Sequence, residues 1–436
     1  MRISVIGCGY LGAVHATCMA SMGHDVVGID VDATKVAALA RGEAPFFEPG
    51  LPELLGQELT TGRLSFTTDL AAAAGADVHF ICVGTPQKRG EFAADMSYVD
   101  AAFLGLAPYV GPGELVVGKS TVPIGTAERL ASDLAALQPE ALLVWNPEFL
   151  REGFAVQDTL HPDRLVYGYD SAYGDRPREI LDQVYAIPLA EGTPRIVSDL
   201  ATAQMVKVAA NAFLATKISF INAMAEMCEA TGADVRLLAD AIGHDDRIGR
   251  RFLNAGLGFG GGCLPKDIRA FMARAGELGV DQALSFLREV DAINMRRRVR
   301  MVDLAREECG GSIVGCRIAV LGAAFKPDSD DIRDSPALNV ALQMHLQGAD
   351  VTVTDPQAIP LAERAFPQLR YADTPEQAAR DADLVLLLTE WKQYVQLDPL
   401  AFGKVVAQRK IVDGRNALDP DRWRFADWSY RALGRR

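Results

Sequence analysis

Cys263 closes the stretch GFGGGC, in which Gly258, Gly260, Gly261 and Gly262 surround a single phenylalanine, and Leu264, Pro265, Lys266 and Asp267 follow it. A thiol in this setting can act as a nucleophile. Glycine permits positive φ and close backbone approach. Pro265 suits the first turn of a helix, and a helix N-terminus with Lys266 beside it favours the thiolate. Cys8, Cys18, Cys82, Cys228, Cys309 and Cys316 lie in no comparable setting and read as small buried hydrophobes. A second constellation is Lys207 with Asn211, four residues apart in an apolar helical run. A lysine there needs a partner for its ammonium or an escape to the helix edge. With Asn211 on the same face, the pair could hold an oxyanion or a hydroxyl. A third is NPEFLREG, residues 146–153, with Glu148 and Glu152 flanking Arg151. A helix would put both carboxylates on one face; a salt-bridged surface turn is the alternative.

The N-terminal VIGCGYLG places Gly7, Gly9 and Gly12 in GxGxxG spacing, after a strand pattern and at the start of a helix. This is the context in which such glycines form a tight turn, admit a pyrophosphate and let helix and strand pack closely. Tyr10 and Leu11 lie in the same turn, where a phosphate meets free N–H groups. Asp30 ends the next strand, where a carboxylate accepts from ribose hydroxyls and repels a 2′-phosphate, so NAD is expected rather than NADP. Lys35, one turn on, either reaches the same adenosine end or is a surface lysine. Thr85 in CVGTP and Thr121 in KSTVPIGT follow apolar strands, and loops at those strand ends line a ligand crevice. On position alone each threonine suits a ligand contact or a turn equally.

The elements that must hold these groups follow from the pattern. Apolar runs in the first 198 residues alternate with helical stretches, which implies βαβ units and a parallel sheet. From Asp199 to Thr231 there is neither proline nor glycine, with Ser198 as a candidate N-cap and Gly232 as a stop. A helix of ~33 residues would be about 50 Å long, and its small apolar residues imply burial on most sides. A second helix is expected from about Leu284 to Cys309, with Arg296, Arg297, Arg298 and Arg300 on a solvated face. From Arg317 the alternation resumes in four strands, RIAVLG, DVTVTD, DLVLLL and KIVDG, without a second glycine fingerprint. The expected fold class is α/β: two Rossmann-like doubly wound domains, 1–198 and 311–436, joined by a central long-helix region, 199–310. With 436 residues, 49% hydrophobic and 23% charged, the composition is that of an ordinary globular chain of several domains. A net charge of −13 argues against nucleic acid or an anionic membrane surface as main partner. No window reads as a bilayer span, no cysteine–histidine spacing reads as a metal site, and the seven cysteines form no disulfide framework, so a cytoplasmic setting is expected.

The ordered motifs GCGYLG, FFEPGL, VGTP, STVPIGT, NPEFLREG, KVAANAFLATKISFIN, IGRRFLNAGLGFGGGCLPKD, FKPDSDDIRDSP, LTEWKQY and DGRN cover nearly the whole chain. Together they resemble the nucleotide-sugar dehydrogenases of the UDP-glucose/GDP-mannose dehydrogenase family. The resemblance implies a four-electron, NAD-dependent oxidation of a C6 alcohol, with UDP-glucose ahead of GDP-mannose or UDP-N-acetylmannosamine. A two-electron dehydrogenase with a structural Cys263 and a non-catalytic NAD sensor are the rival readings. It implies Cys263 as nucleophile, Glu148 as acid/base, Lys207 and Asn211 on the reacting oxygen, and Thr121 and Asp267 moving protons through water. Nucleotide-sugar contacts are implied for Glu148, Phe149, Leu150, Arg151 and Glu152. They are implied also for Phe252, Leu253, Asn254, Ala255 and Gly256, and for Gly260, Lys326 and Arg415. Arg247 resembles an arginine that reaches across a dimer, so a homodimer or higher homo-oligomer is expected. NAD contacts are implied for Asp30, Lys35, Thr85 and Thr121, and for Glu152, Lys266 and Arg333. Gly262 stands where the family often carries serine, and Leu264 where its UDP-glucose members often carry phenylalanine.

Overall fold

The computed structural model describes residues 1–435. The chain packs as two compact units, Met1–Ala210 with Arg269–Gly279, and Asn211–Ile268 with Val280–Arg436. This regroups the linear segments read from the sequence. The middle segment contributes to both units, because the helices Leu200–Thr231 and Leu264–Glu277 each run through a division point.

The first unit holds strands β1 (Arg2–Ile6), β2 (Asp25–Ile29), β3 (Leu64–Thr67), β4 (Val78–Ile81), β5 (Leu115–Gly118), β6 (Leu142–Trp145), β7 (Leu165–Gly168) and β8 (Arg195–Ser198). Their order is β3-β2-β1-β4-β5-β6-β7-β8. Every pairing is parallel except β6 with β7. Strands β4 to β7 are buried at every residue, which is why the segments holding β4, β5 and β6 read as apolar runs. The order reverses between β1 and β4, so the loops after these strands flank the crevice of a doubly wound sheet. Strands β3, β7 and β8 escaped the sequence reading; β8 is exposed at three of its four residues, and β3 has one buried residue of four.

The second unit holds β9 (Arg317–Leu321), β10 (Asp350–Thr354), β11 (Arg370–Tyr371), β12 (Leu384–Leu387), β13 (Lys410–Asp413) and β14 (Ser429–Ala432), all parallel, in the order β11-β10-β9-β12-β13-β14. The four expected strands are present, with β11 and β14 added at the edges. The turns after β1 and β9 correspond in detail. Gly7 (φ +90) donates its N–H to Ile29 O, and Gly322 (φ +114) donates to Thr354 O, both at 2.8 Å. Asp30 Oδ2 accepts the Cys8 N–H at 2.7 Å, and Asp355 Oδ2 accepts the Ala323 N–H at the same distance. Asp355 is more fully engaged: Oδ2 also takes the Ala324 N–H and Trp391 Nε1, while Oδ1 takes the Gln357 and Ala358 N–H groups.

The long helix spans Leu200–Thr231 and ends as expected at Gly232 (φ +80). Its cap is Asp199, not Ser198: Asp199 Oδ1 accepts the Thr202 N–H at 2.7 Å. By length and composition this helix could cross a membrane, contrary to the sequence expectation, but its polar side chains bond within the protein. Gln204 donates to Glu128 and to Leu200 O, Ser219 donates to Val290 O, and Asn222 accepts the Gly256 N–H. Nor is the helix buried on most sides, since Phe213, Phe220 and Met227 are exposed at seven-residue spacing. The second long helix is Phe286–Glu308. The solvated reading of its arginine cluster fails for two members. Arg297 is 0% and Arg298 2% exposed, paired with Glu229 and Asp334 respectively, because this helix is covered on the face they occupy.

Candidate active site

Each unit carries its own group of reactive residues. In the first, the helix Tyr10–Ser21 begins at Gly9, directly after β1. The three fingerprint glycines have separate reasons to be glycine. Gly7 has positive φ, and a Cβ there would lie 2.7 Å from Val83 Cγ1. A Cβ on Gly12 would lie 1.8 Å from Gly7 O, so helix and turn could not pack. A Cβ on Gly9 would meet nothing within 4 Å; that space is the cradle a pyrophosphate would fill. Asp30 is buried, with Oδ1 accepting the Asp32 N–H and Oδ2 accepting Lys35 Nζ at 2.9 Å beside the Cys8 N–H. Burial alone would raise its pKa; the bonds from Asp32, Lys35 and Cys8 outweigh burial and hold it below the ordinary carboxylate value. These residues fit a dinucleotide. Thr85 Oγ1 donates to Thr121 O at 2.8 Å, which ties the loops after β4 and β5 together.

The segment after β6 is not helical, so Glu148 and Glu152 share no helix face. Pro147 disfavours helical geometry for the residue before it and, here, the chain stays irregular to Gly153. Glu148 Oε2 accepts the Leu150 N–H and Oε1 accepts Lys207 Nζ, each at 2.8 Å. Phe149 lies between Arg164, 3.7 Å from its ring centroid, and Lys207, 5.7 Å away. Arg151 pairs outward with Asp158, and Glu152 is buried. Two residues without an assigned role support this loop. Glu48, from FFEPGL, accepts the Gly153 and Ala155 N–H groups at 2.7 and 2.6 Å and bonds Tyr10 Oη. Lys119, at the end of β5, is buried with its ammonium on Asn146 Oδ1 (3.0 Å) and Tyr185 Oη (3.2 Å). Burial pushes its pKa down to about 8. Its signal in the sequence was a lysine directly after a strand buried throughout.

In the second unit, Cys263 O accepts the Asp267 N–H at 2.9 Å, so Cys263 stands at the N-cap of Leu264–Glu277. Among the described residues it is the one exposed cysteine. Burial raises the pKa of Cys8, Cys18, Cys82, Cys228 and Cys309, pushing Cys82 to about 12. Asp267 is buried, taking Asn211 Nδ2 at 2.7 Å and Lys266 Nζ at 2.6 Å. The glycine run fits protein neighbours. A Cβ on Gly258 would lie 2.3 Å from Asn294 Oδ1, and one on Gly260 2.4 Å from Asp334 O. On Gly261 it would lie 2.7 Å from the Phe325 ring, and on Gly262 2.2 Å from the Arg333 guanidinium carbon. The segment 325–336 therefore lies directly on the thiol loop. It carries Lys326, whose Nζ is 5.4 Å from the Phe325 ring centroid, and Arg333, paired with Asp331.

Arg415 is partly buried, with donors on Leu388 O, Gly258 O and Phe325 O, so it braces the same loop. Phe252 has φ +66 and opens the segment to Gly256, in which Leu253 and Ala255 are buried and Asn254 takes Arg250 Nη1. A Cβ on Gly256 would lie 2.7 Å from Gly414 O. Arg247 is on the outside, its side chain 89% exposed and paired with Asp245. Among the described residues no group of three or more metal-ligating side chains occurs.

Residues 1–187, 201–296 and 319–420 match the NAD binding, central and UDP binding domains of one family. The chain is 41% identical to a UDP-glucose 6-dehydrogenase of Rhizobium meliloti, covering all of both chains. It is 40% identical to one of Bacillus subtilis, covering all of this chain and 93% of that one. A UDP-glucose dehydrogenase structure from Pyrobaculum islandicum superposes with TM-score 0.90 at 38% identity, covering all of this chain and 98% of that one. With a glycine cradle shaped for a dinucleotide, a thiol at a helix N-cap and three family domains matched in order, the chain belongs to the UDP-glucose/GDP-mannose dehydrogenase family.

Proposed function

We propose that the protein oxidises the C6 alcohol of UDP-glucose to the carboxylate of UDP-glucuronate, with Cys263 as covalent nucleophile. The observation that carries this reading is the placement of Cys263, exposed at a helix N-cap while the other cysteines are wholly or partly buried. NAD would supply the hydride acceptor for each of the two oxidations, one molecule per hydride, the second bound after the first has left as NADH. The chain's own residues do the rest. Lys207 and Asn211 hold the reacting oxygen, and Thr121 and Asp267 pass its proton to water. The C6 aldehyde adds the Cys263 sulfur as a thiohemiacetal, whose oxidation leaves a thioester. Glu148 activates water to cleave the C–S bond, giving the carboxylate and the free thiol. In this reading 1–198 serves NAD, 199–310 carries the thiol loop, and 311–436 binds the nucleotide sugar. Asp30, Lys35, Thr85, Glu152, Lys266 and Arg333 serve the cofactor, and Lys326, Arg415 and the segment Phe252–Gly256 the sugar nucleotide.

The exposed Phe213, Phe220 and Met227 support a homodimer through the long helix, with Arg247 contributed to the partner. None of the seven cysteines is joined in a disulfide, which supports a cytoplasmic setting. A panel of UDP-glucose, GDP-mannose and UDP-N-acetylmannosamine, with NADH counted per sugar, tests the proposal. Two NADH and one uronate from UDP-glucose are expected, and a folded Cys263→Ala protein that makes no uronate. One NADH per sugar would establish the two-electron reading, and preference for another sugar would move the substrate.

A further inference from the structure

The glycine loop before Cys263 is held from behind by one face of the helix Phe286–Glu308. Asn294 is fully buried and uses both ends of its amide on one residue: Oδ1 accepts the Phe259 N–H at 2.8 Å, and Nδ2 donates to Phe259 O at 2.9 Å. Arg298, one turn later on the same face, donates Nη1 to Asp334 Oδ1 at 2.8 Å. Its Nη2 reaches Phe259 O at 3.4 Å and Asp334 O at 3.3 Å. One guanidinium thus joins the thiol loop to the segment 325–336, whose Arg333 O accepts the Gly261 N–H at 2.8 Å. Gly258 (φ +95) is the complement of this arrangement, since any side chain there would displace Asn294. A buried cation and a buried amide serving the same short backbone stretch are more than filling. A core helix could have packed there with apolar side chains.

We propose that Asn294 and Arg298 are positioning residues for the Cys263 thiol: they fix the loop so that the sulfur keeps one position relative to the segment 325–336. The inference rests on Cys263 being the nucleophile, and it acts through the backbone rather than by contact with substrate. Arg298→Lys keeps the charge but a single ammonium loses the fork that spans Phe259 O and Asp334. Asn294→Ala removes both bonds to Phe259.

The test uses the full-length protein and three readouts: the rate of Cys263 alkylation by iodoacetamide, located by peptide mass spectrometry; kcat and KM for UDP-glucose; and hydrogen exchange at the Phe259 amide. A misplaced reacting group costs up to about 10²-fold in rate, so kcat is expected to fall by roughly that order in both variants. KM and NAD affinity should stay within a small factor, and the alkylation rate of Cys263 should change. A folded variant with wild-type alkylation and wild-type kcat overturns the proposal. If neither variant folds, wild-type exchange decides. Slow exchange at Phe259 supports a fixed loop, and exchange at the rate of exposed loops overturns it. Alkylation does not depend on turnover, so it separates this inference from the reading of Cys263. An active Cys263→Ala protein would remove the nucleophile, while the alkylation rates would still report whether the loop is held.

Discussion

Lys207 Nζ lies 2.8 Å from Glu148 Oε1, and the two side chains are 6% and 14% exposed. Fifty-nine residues of chain separate them. The pair resolves the question posed by an apolar helix with one lysine: the ammonium neither snorkels nor goes unpaired. It also explains how an irregular loop can hold a carboxylate steady, since Oε2 is fixed by its own backbone at the Leu150 N–H.

Replacing Lys207 with alanine removes the charge that orients Glu148 and, in the proposed chemistry, the donor to the reacting oxygen. Loss of a preorganised donor costs about 10²–10³ in kcat. The expected result is a kcat loss of that order with a smaller change in KM for UDP-glucose, measured by steady-state NADH formation. Near-wild-type kcat would leave the lysine a purely structural ion-pair partner.

Lys119 gives a signature in stability against pH. Its ammonium is buried by β4, β5 and the Tyr185 ring, near Cys82, Glu148 and Lys207, and titrates at about 8 in the fold against about 10.4 in an unfolded chain. Between those values the unfolded chain holds a proton that the folded chain has lost, so stability rises with pH in that window. Lys119→Met should flatten this rise. Urea midpoints at about pH 7.5 and about pH 9.5 measure it. Equal slopes in the two proteins would mean that Lys119 keeps its ordinary pKa.

Gly261 and Gly262 should respond differently to alanine. Gly261 has φ +81 and a Cβ there meets the Phe325 ring, so Gly261→Ala should cost at least about 1–2 kcal/mol from backbone strain alone. Gly262 has ordinary φ, and its Cβ meets the mobile end of an exposed arginine, so Gly262→Ala should leave the thermal midpoint nearly unchanged while displacing Arg333. If Arg333 serves the cofactor, KM for NAD rises in the second variant only. Thermal unfolding with NAD kinetics checks both, and the reverse order of stabilities would contradict the packing described.

Asp30→Ala should raise KM for NAD and narrow the preference over NADP. The Cys8 N–H and Lys35 lose an acceptor, so the melting temperature should fall as well. Because the folded pKa of Asp30 is depressed, its stabilising contribution is present above the unfolded value of about 3.9 and is lost as pH falls through the folded value. The difference between wild type and variant should therefore shrink in acid. An unchanged NAD/NADP ratio would remove Asp30 from the cofactor site.

The legible parts of this molecule were those whose causes are local in sequence. Gly7, Gly9, Gly12 and Asp30 sit within one βαβ unit, and Cys263 with Pro265 within one helix start, so spacing alone located them. Glu148 with Lys207, and Asn211 with Asp267, needed the tertiary fold to bring them together. The arginine cluster misled because helical periodicity cannot say how many faces of a helix are covered: Arg296 and Arg300 reach solvent, whereas Arg297 and Arg298 point inward. The glycine run announces a close approach but not of what: Gly258 accommodates Asn294, and Gly260, Gly261 and Gly262 accommodate Asp334, Phe325 and Arg333, which only the packing reveals.

The correspondence between Asp30 and Asp355 bears on what each turn can receive. One construction, glycine to carbonyl and amide to carboxylate, recurs at β1–β2 and β9–β10. In the second copy the carboxylate is answered by five donors of its own chain, from Ala323, Ala324, Gln357, Ala358 and Trp391. Both oxygens are thus engaged from within, where Asp30 answers only Cys8, Asp32 and Lys35. The same carboxylate position is a keystone in the second sheet, locked by the indole of Trp391, and a lightly held acceptor in the first.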